Sequence, residues 1–156
     1  MKKVQSDQAL FIKATQDNTS VSISKHGSYD LSVSYSTSVE DGFNKAVPTS
    51  TGFDVCTLNA GESVGIVCST DGTFSTSNYM NFVFNQPVDL YGNIMGLITE
   101  GDADDASAIP YEYCFYKLFQ NCPISSVSEN ILSATTLTPH CYASMFEGCT
   151  NLSYVP

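Results

Sequence analysis

The feature that most constrains the fold of this chain is a nine-residue phrase that occurs twice. Residues 114–122 read CFYKLFQNC and residues 141–149 read CYASMFEGC, so the second copy follows the first by 27 residues. In both copies the residue types follow the same order: Cys, an aromatic residue, two variable positions, a large apolar residue, Phe, a polar residue, Asn or Gly, and Cys. A unit of this length cannot bury its apolar face alone, so the repeat predicts two units that stack on one another.

The apolar residues around each copy have the spacing of one helix face. They fall at i, i+3, i+4, i+7, i+8 and i+11 in the first copy: Tyr111, Cys114, Phe115, Leu118, Phe119 and Cys122. This spacing predicts an amphipathic helix in each copy. Asn121 and Gly148 are predicted to close these helices in the left-handed conformation, and Thr138 to cap the second helix ahead of Pro139. A short extended segment follows each helix, at residues 124–127 and 152–155.

From Leu10 to about Asn93 the sequence has the period-two alternation of half-buried strands. Strands are predicted at residues 20–25, 31–36, 53–58, 63–68, 79–84 and 88–94, with a turn at Gly27 and a hairpin loop at residues 59–62. Short strands at these intervals predict an antiparallel β-sandwich. The predicted fold is therefore mostly β: a sandwich domain at 1–93, an acidic connector at 94–110, and two helix-plus-strand repeat units at 111–156.

Residues 111–156 resemble a known family. The run YCFYKLFQNCPISSV...LSATTLTPHCYASMFEGCTNLSYVP is similar to the BspA-like leucine-rich repeats of bacterial surface proteins, although Ser133 stands where the family's link usually has Pro. The upstream LNAGESV and LYGNIMGL are similar in style to the β-domain that often precedes such repeats in gut-bacterial and phage proteins. The resemblance implies a leucine-rich-repeat solenoid and a non-enzymatic role in binding or adhesion.

The charge balance excludes two classes of partner. The formal net charge is −10, with six Lys plus Arg, whereas nucleic acid and anionic membranes require clustered cations. The longest apolar runs are too short to span a bilayer. The N-terminal sequence MKKVQSDQALFIKATQD lacks the apolar core of a secretory signal, so either the chain is not secreted by that route or its signal is missing.

The six cysteines predict neither disulfides nor a zinc site. On one helix, Cys114 and Cys122 would be about 12 Å apart, beyond bridging distance. The cysteine pairs Cys114/Cys122, Cys141/Cys149 and Cys56/Cys68 are eight, eight and twelve residues apart. The cysteines of structural zinc sites are usually paired two to four residues apart. We expect the four repeat cysteines, Cys114, Cys122, Cys141 and Cys149, to be reduced core residues.

Two further motifs have a chemical and a structural interpretation. GESVG, residues 61–65, matches the G-x-S-x-G nucleophile elbow with Ser63 as nucleophile, but a strand is predicted to follow it, and the only histidines are His26 and His140. Residues 100–105 contain four carboxylates, Glu100, Asp102, Asp104 and Asp105. They form either an irregular calcium site or a solvated acidic connector, and the EF-hand spacing is absent.

Exposed tyrosines are the remaining candidates for a binding surface. Tyr79, Tyr113 and Tyr154 are expected either to form an aromatic platform for a sugar or a protein, or to lie partly in the core. The sequence therefore favours an extracellular, cell-surface or virion protein that binds a protein or carbohydrate, with no catalytic, cofactor or metal residues and with self-association through its C-terminal repeat face. The alternatives are a phage tail or virion protein that is structural or binds a receptor, and, more distantly, a serine hydrolase that uses Ser63.

Overall fold

The computed structural model describes residues 9–37, 45–47, 52–70, 73–99 and 107–152. Over these ranges the protein is mostly β, with nine strands and one short helix. The strands are β1 Leu10–Ala14, β2 Thr19–His26, β3 Leu31–Ser36, β4 Lys45–Val47, β5 Gly52–Leu58, β6 Ser63–Thr70, β7 Tyr79–Phe84, β8 Val88–Gly92 and β9 Ile124–Val127. The helix, α1, is Gly96–Thr99.

The strands form two sheets, an arrangement consistent with the predicted β-sandwich. The six-stranded sheet has the order β4-β3-β6-β1-β8-β9, and the three-stranded sheet has the order β5-β2-β7. All pairs are antiparallel except β8 and β9, which are parallel. The six strands that alternation predicted in the first 93 residues are confirmed, and so is the extended segment at β9.

The predicted hairpin at residues 59–62 is wrong. β5 pairs with β2 in the three-stranded sheet, whereas β6 pairs with β1 and β3 in the six-stranded sheet. The loop therefore passes between sheets. β2 and β3, on either side of Gly27, also lie in different sheets. Alternation shows where a strand runs but does not show which sheet it joins, so loop length alone suggested a hairpin.

The two predicted repeat helices are also wrong. Residues 111–122 and 138–149, here called the first and second turn segments, are runs of tight turns in which every second amide donates to the carbonyl three residues earlier. Every fourth residue has a positive φ between 54° and 77°: Tyr113, Lys117 and Asn121, then His140, Ser144 and Gly148. Left-handed Asn121 and Gly148 are confirmed. No helix follows Thr138, so the predicted cap is wrong. Its hydroxyl instead donates to the carbonyl of Tyr111 at 2.6 Å.

The turn segments stack side by side with an offset of 27 residues. The amides of residues 113, 115, 117, 119 and 121 in the first segment donate to carbonyls of the second. The ring of Phe115 stacks on Tyr142 at 5.9 Å, and that of Phe119 on Phe146 at 5.7 Å. These contacts explain why the segments are not helices: an α-helix uses its amides internally, whereas here half of them join neighbouring segments.

One hydrophobic core extends through both sheets and both turn segments. It includes Ile12 from β1, Phe82 from β7, Phe119 from the first turn segment and Ile131 from the link between the segments, each at most 1% exposed. Leu97, in the stretch predicted as a connector, is also buried. The sandwich and the repeat region therefore share a core over these residues. The predicted acidic part of the connector, with Glu100 to Asp105, lies outside the described residues.

Candidate ligand-binding surface

Five aromatic rings form a continuous strip where the three-stranded sheet meets the two turn segments. In order they are His26, Tyr79, Tyr116, Tyr113 and His140, and we call them the aromatic strip. The centroids of neighbouring rings are 4.3, 5.2, 5.5 and 4.7 Å apart. Four of the residues are half-buried and His140 is exposed, so the strip is accessible to a ligand.

Strand register and segment stacking together place these rings. His26 ends β2 opposite Tyr79 at the start of β7, and their rings are 13° from parallel. Tyr113 and His140 occupy equivalent positions in the two turn segments, and their rings are also 13° from parallel. Tyr116 joins the two stacks through edge-to-face contacts, at 80° to Tyr79 and 89° to Tyr113. Such edge-to-face pairs are a favoured aromatic geometry.

A lysine adds a positive charge to the middle of the strip. The Nζ atom of Lys117 lies 5.6 Å from the ring centroid of Tyr79 and 5.2 Å from that of Tyr116. Both distances are within the range of cation–π attraction, worth about 0.5–1 kcal/mol at exposed sites. The ammonium group is thereby held where it can donate hydrogen bonds to a ligand on the strip.

A groove of about 350 Å³ adjoins the strip between β7 and the first turn segment. Aromatic, aliphatic and amide side chains line it: His26, Tyr79, Asn81, Phe82, Val83, Phe84, Gln120, Asn121 and Cys122. Its three amides offer donors and acceptors without net charge. The lining is about equally polar and apolar, and amides beside aromatic rings match the hydroxyls and C–H faces of a sugar.

Hydrogen bonds orient the polar groups of the groove. Nε2 of His26 lies 2.7 Å from Oδ1 of Asn81, and because an amide oxygen only accepts, the imidazole is the donor. Nε2 of Gln120 donates to Oε1 of Glu147 at 2.7 Å and so links the two turn segments. Side chains held in this way lose less conformational entropy when a ligand binds.

Two of the three tyrosines singled out in the sequence meet in this strip. Tyr79 and Tyr113 are 34 residues apart in the chain, and Tyr116 connects them. Sequence reasoning did not assign Tyr116, since it falls at a variable position of the repeat, and it considered His26 and His140 only as members of a catalytic triad. Tyr154 lies outside the described residues.

The serine-hydrolase alternative gains no support from the surroundings of Ser63. Ser63 is the first residue of β6, which continues to Thr70, whereas a nucleophile elbow is a turn from a strand into a helix. In the part of the chain that the structure describes, no hydrogen bond joins the Ser63 hydroxyl to His26 or His140.

The cysteines are free, and the four repeat cysteines are buried as predicted. Burial raises the pKa of the Cys122 thiol to about 12, with a further contribution from Cys149, and burial likewise raises the pKa of Cys114 above its usual range. Protonated thiols are poor nucleophiles and poor metal ligands. Over the described ranges no three His, Cys, Asp or Glu side chains are grouped as they would be around a metal ion.

No protein-family model, curated protein or solved structure matches the chain. The four-residue helix α1, the one helix in the described ranges, is far too short to cross a membrane.

Proposed function

We propose that this protein is a non-enzymatic binding module of a surface or extracellular repeat protein, and that it acts in adhesion by recognising a glycan or a protein through the aromatic strip. The observation that carries this proposal is the strip: five accessible rings from four elements form one surface. Aromatic side chains offer large, rigid contact areas at low entropic cost and are enriched in binding surfaces.

The adjoining groove favours a glycan as the ligand. Asn81, Gln120 and Asn121 line it beside the ring of Tyr79. A sugar ring presents hydroxyls that pair with amide groups and C–H faces that pack on aromatic rings, so this lining fits one or two sugar units. The Lys117 ammonium, held over Tyr79 and Tyr116, would add a donor for a hydroxyl or an acidic substituent of the sugar.

We also propose that the two turn segments are the first units of a leucine-rich-repeat solenoid, with the β-sandwich covering its first end. Their stacking at an offset of 27 residues supports this proposal, as does the parallel pairing of β9 with β8, since solenoid strands run parallel. The resemblance of residues 111–156 to BspA-like repeats supports the same architecture and a location outside the cell, on its surface or on a virion.

A glycan array tests the ligand proposal directly. The chain would be tetramerised, labelled and applied to an array alongside a strip variant, Tyr79→Ala with Tyr116→Ala. Tyr91→Ala is a matched control, because Tyr91 is a half-buried tyrosine that stacks on Phe11 at 5.0 Å in a separate cluster. Circular dichroism and thermal unfolding would show that the unsubstituted protein and both variants fold.

We expect the unsubstituted protein and the Tyr91→Ala control to bind the same group of glycans, and the strip variant to lose about tenfold or more in affinity. If the protein binds no glycan but adheres to protein-coated surfaces in a strip-dependent way, the ligand is a protein. Equal binding by the folded strip variant and the control would show that the strip is not the site.

A further inference from the structure

The backbone-to-backbone hydrogen bonds between the two turn segments all run from the first segment to the second. Five amides of the first segment, at residues 113, 115, 117, 119 and 121, donate to the carbonyls of residues 139, 141, 143, 145 and 147 over 2.7–3.3 Å. In these five bonds the first segment supplies only donors and the second only acceptors. Each segment therefore has one edge that donates and an opposite edge that accepts.

The outer edge of the second turn segment is a donor edge without acceptors. The five equivalent amides, at residues 140, 142, 144, 146 and 148, donate to no atom of the described residues, while every carbonyl from 138 to 148 accepts a backbone hydrogen bond. This edge also leaves apolar surface open. Phe119 is completely buried beneath the second segment, whereas its equivalent, Phe146, is only partly buried.

The second turn segment also contains a buried polar group that lacks a partner. The hydroxyl oxygen of Tyr142 is buried and forms no hydrogen bond within the described residues, and burial raises the pKa of Tyr142 to about 12. Buried hydroxyls are normally paired. The five open amides and the partly exposed Phe146 indicate an interface that is incomplete.

The polarity of the edge determines what can cover it. Two copies related by a twofold axis would place donor edge against donor edge, and no backbone bonds could form. In each copy the acceptor edge of the first turn segment already faces β7, where the amide of Phe82 donates to the carbonyl of Leu118. One of the five carbonyls on that edge is therefore already paired, and β7 packs against this part of the edge through ring contacts with Tyr116 and Phe119, where it would obstruct a second copy.

We infer that the donor edge of the second turn segment binds the acceptor edge of a further turn segment of the same construction, rather than a second copy of this chain across a twofold axis. The new segment would place alternate carbonyls opposite the five amides and an aromatic ring over Phe146, repeating the contacts of the first segment with the second. The inference rests on the repeat architecture proposed above and is independent of the ligand of the aromatic strip.

Hydrogen exchange of two chains tests the inference. One is the chain itself, and the other carries a second copy of residues 129–152 attached after Pro156. In the chain itself, the amides of residues 140, 142, 144, 146 and 148 should exchange about tenfold or more faster than those of 141, 143, 145, 147 and 149. In the extended chain the five fast amides should become protected, and an extension of scrambled sequence should leave them fast.

Two results would overturn the inference. One is that the five amides stay fast in the chain with the native-sequence extension. The other is that they become protected in the unextended chain as its concentration rises, with sedimentation showing a symmetric dimer. The strip variant Tyr79→Ala with Tyr116→Ala should give the same exchange pattern as the unsubstituted chain, so failure of the ligand proposal and failure of this inference are distinguishable.

Discussion

The thiol of Cys122 donates a hydrogen bond to the backbone carbonyl of Phe82, with 3.0 Å between Sγ and O. The thiol of Cys149 makes the same contact with the carbonyl of Phe119, also at 3.0 Å. Phe119 belongs to the first turn segment, but Phe82 belongs to β7. Strand β7 therefore stands in the same relation to the first segment as the first segment does to the second.

Two further contacts show the same equivalence. The amide of Phe82 donates to the carbonyl of Leu118, as the amide of Phe119 donates to that of Met145. The rings of Phe82, Phe119 and Phe146 form one stack, with centroids 5.5 and 5.7 Å apart. The edge of the three-stranded sheet thus makes with the first turn segment the same contacts that the first segment makes with the second.

The first prediction concerns this ring stack. Phe82→Ala and Phe119→Ala should each lower the free energy of unfolding by about 3–5 kcal/mol, because each leaves a cavity in the core. Phe146→Ala should cost clearly less, since Phe146 ends the stack and is partly exposed. Urea unfolding of the three variants provides the measurement. Equal costs at Phe146 and Phe119 would contradict the idea that the stack ends at Phe146.

The second prediction couples Gly148 to Asn121. Gly148 has a φ of 77°, and a Cβ atom there would clash with the side-chain oxygen of Asn121. Gly148→Ala should therefore cost about 1–2 kcal/mol for left-handed strain, plus the displacement of Asn121. Asn121→Gly should remove the second cost. A double-mutant cycle should give a coupling of about 0.5 kcal/mol or more, and simple additivity would count against the contact.

The third prediction is a loss of stability at alkaline pH. Burial raises the pKa of Cys122 to about 12 and raises that of Cys114, so the folded chain keeps thiol protons that the unfolded chain loses above about pH 8.5. Because the unfolded state then binds fewer protons, the free energy of unfolding should fall as pH rises, by at most about 1.4 kcal/mol per pH unit for each thiol. Well below about pH 8.5 the thiols are protonated in both states, so they should not make the free energy of unfolding depend on pH.

Urea unfolding at about pH 7.5, 9 and 10 measures this effect. Cys122→Ala is the control, since its packing loss is the same at every pH and it should make the decline shallower. A free energy of unfolding that stays constant over this range would show that the thiols are not desolvated.

The fourth prediction concerns thiol reactivity. Native protein should react slowly with a thiol reagent at Cys114, Cys122 and Cys141, which are at most 4% exposed, and faster at Cys56, which is half-buried. Denaturant should make all the sites similarly reactive. Mass spectrometry after timed labelling separates the sites. Rapid native labelling of Cys122 would contradict its burial against Phe82.

The fifth prediction concerns Ser63. Ser63→Ala should change stability by no more than about 0.5 kcal/mol, because the side chain lies at the half-buried start of β6. Glycan binding should also be unchanged, since Ser63 belongs to neither the aromatic strip nor the groove. A loss of any hydrolytic activity in this variant would revive the serine-hydrolase alternative.

The strands could be predicted from the sequence because their signal is local. In β2, for example, Val21 and Ile23 alternate with serines, and this period of two holds only for a strand with one buried face. The choice of sheet is not local. β5 and β6 are separated by four residues, yet they lie in different sheets, because each follows the register and the core surface that its partners offer.

The repeated sequence predicted that the two units stack, but it did not predict the backbone conformation within each unit. Positions i, i+3, i+4, i+7, i+8 and i+11 fit a helix of 3.6 residues per turn, and they fit a four-residue turn period equally well over so short a stretch. The neighbouring segment decides between them. It accepts every second amide of the first segment, and these bonds offset the cost of left-handed Tyr113 and Lys117.

The aromatic strip shows the same division. The sequence alone determined that tyrosines were available, that the chain carries a formal net charge of −10, and that Asn121 and Gly148 could adopt the left-handed conformation. Only the tertiary structure placed Tyr79 beside Tyr116 and Lys117. The reason is physical: these residues belong to β7 and the first turn segment, and their contact exists only because the sheet edge and the repeat share hydrogen bonds and a ring stack.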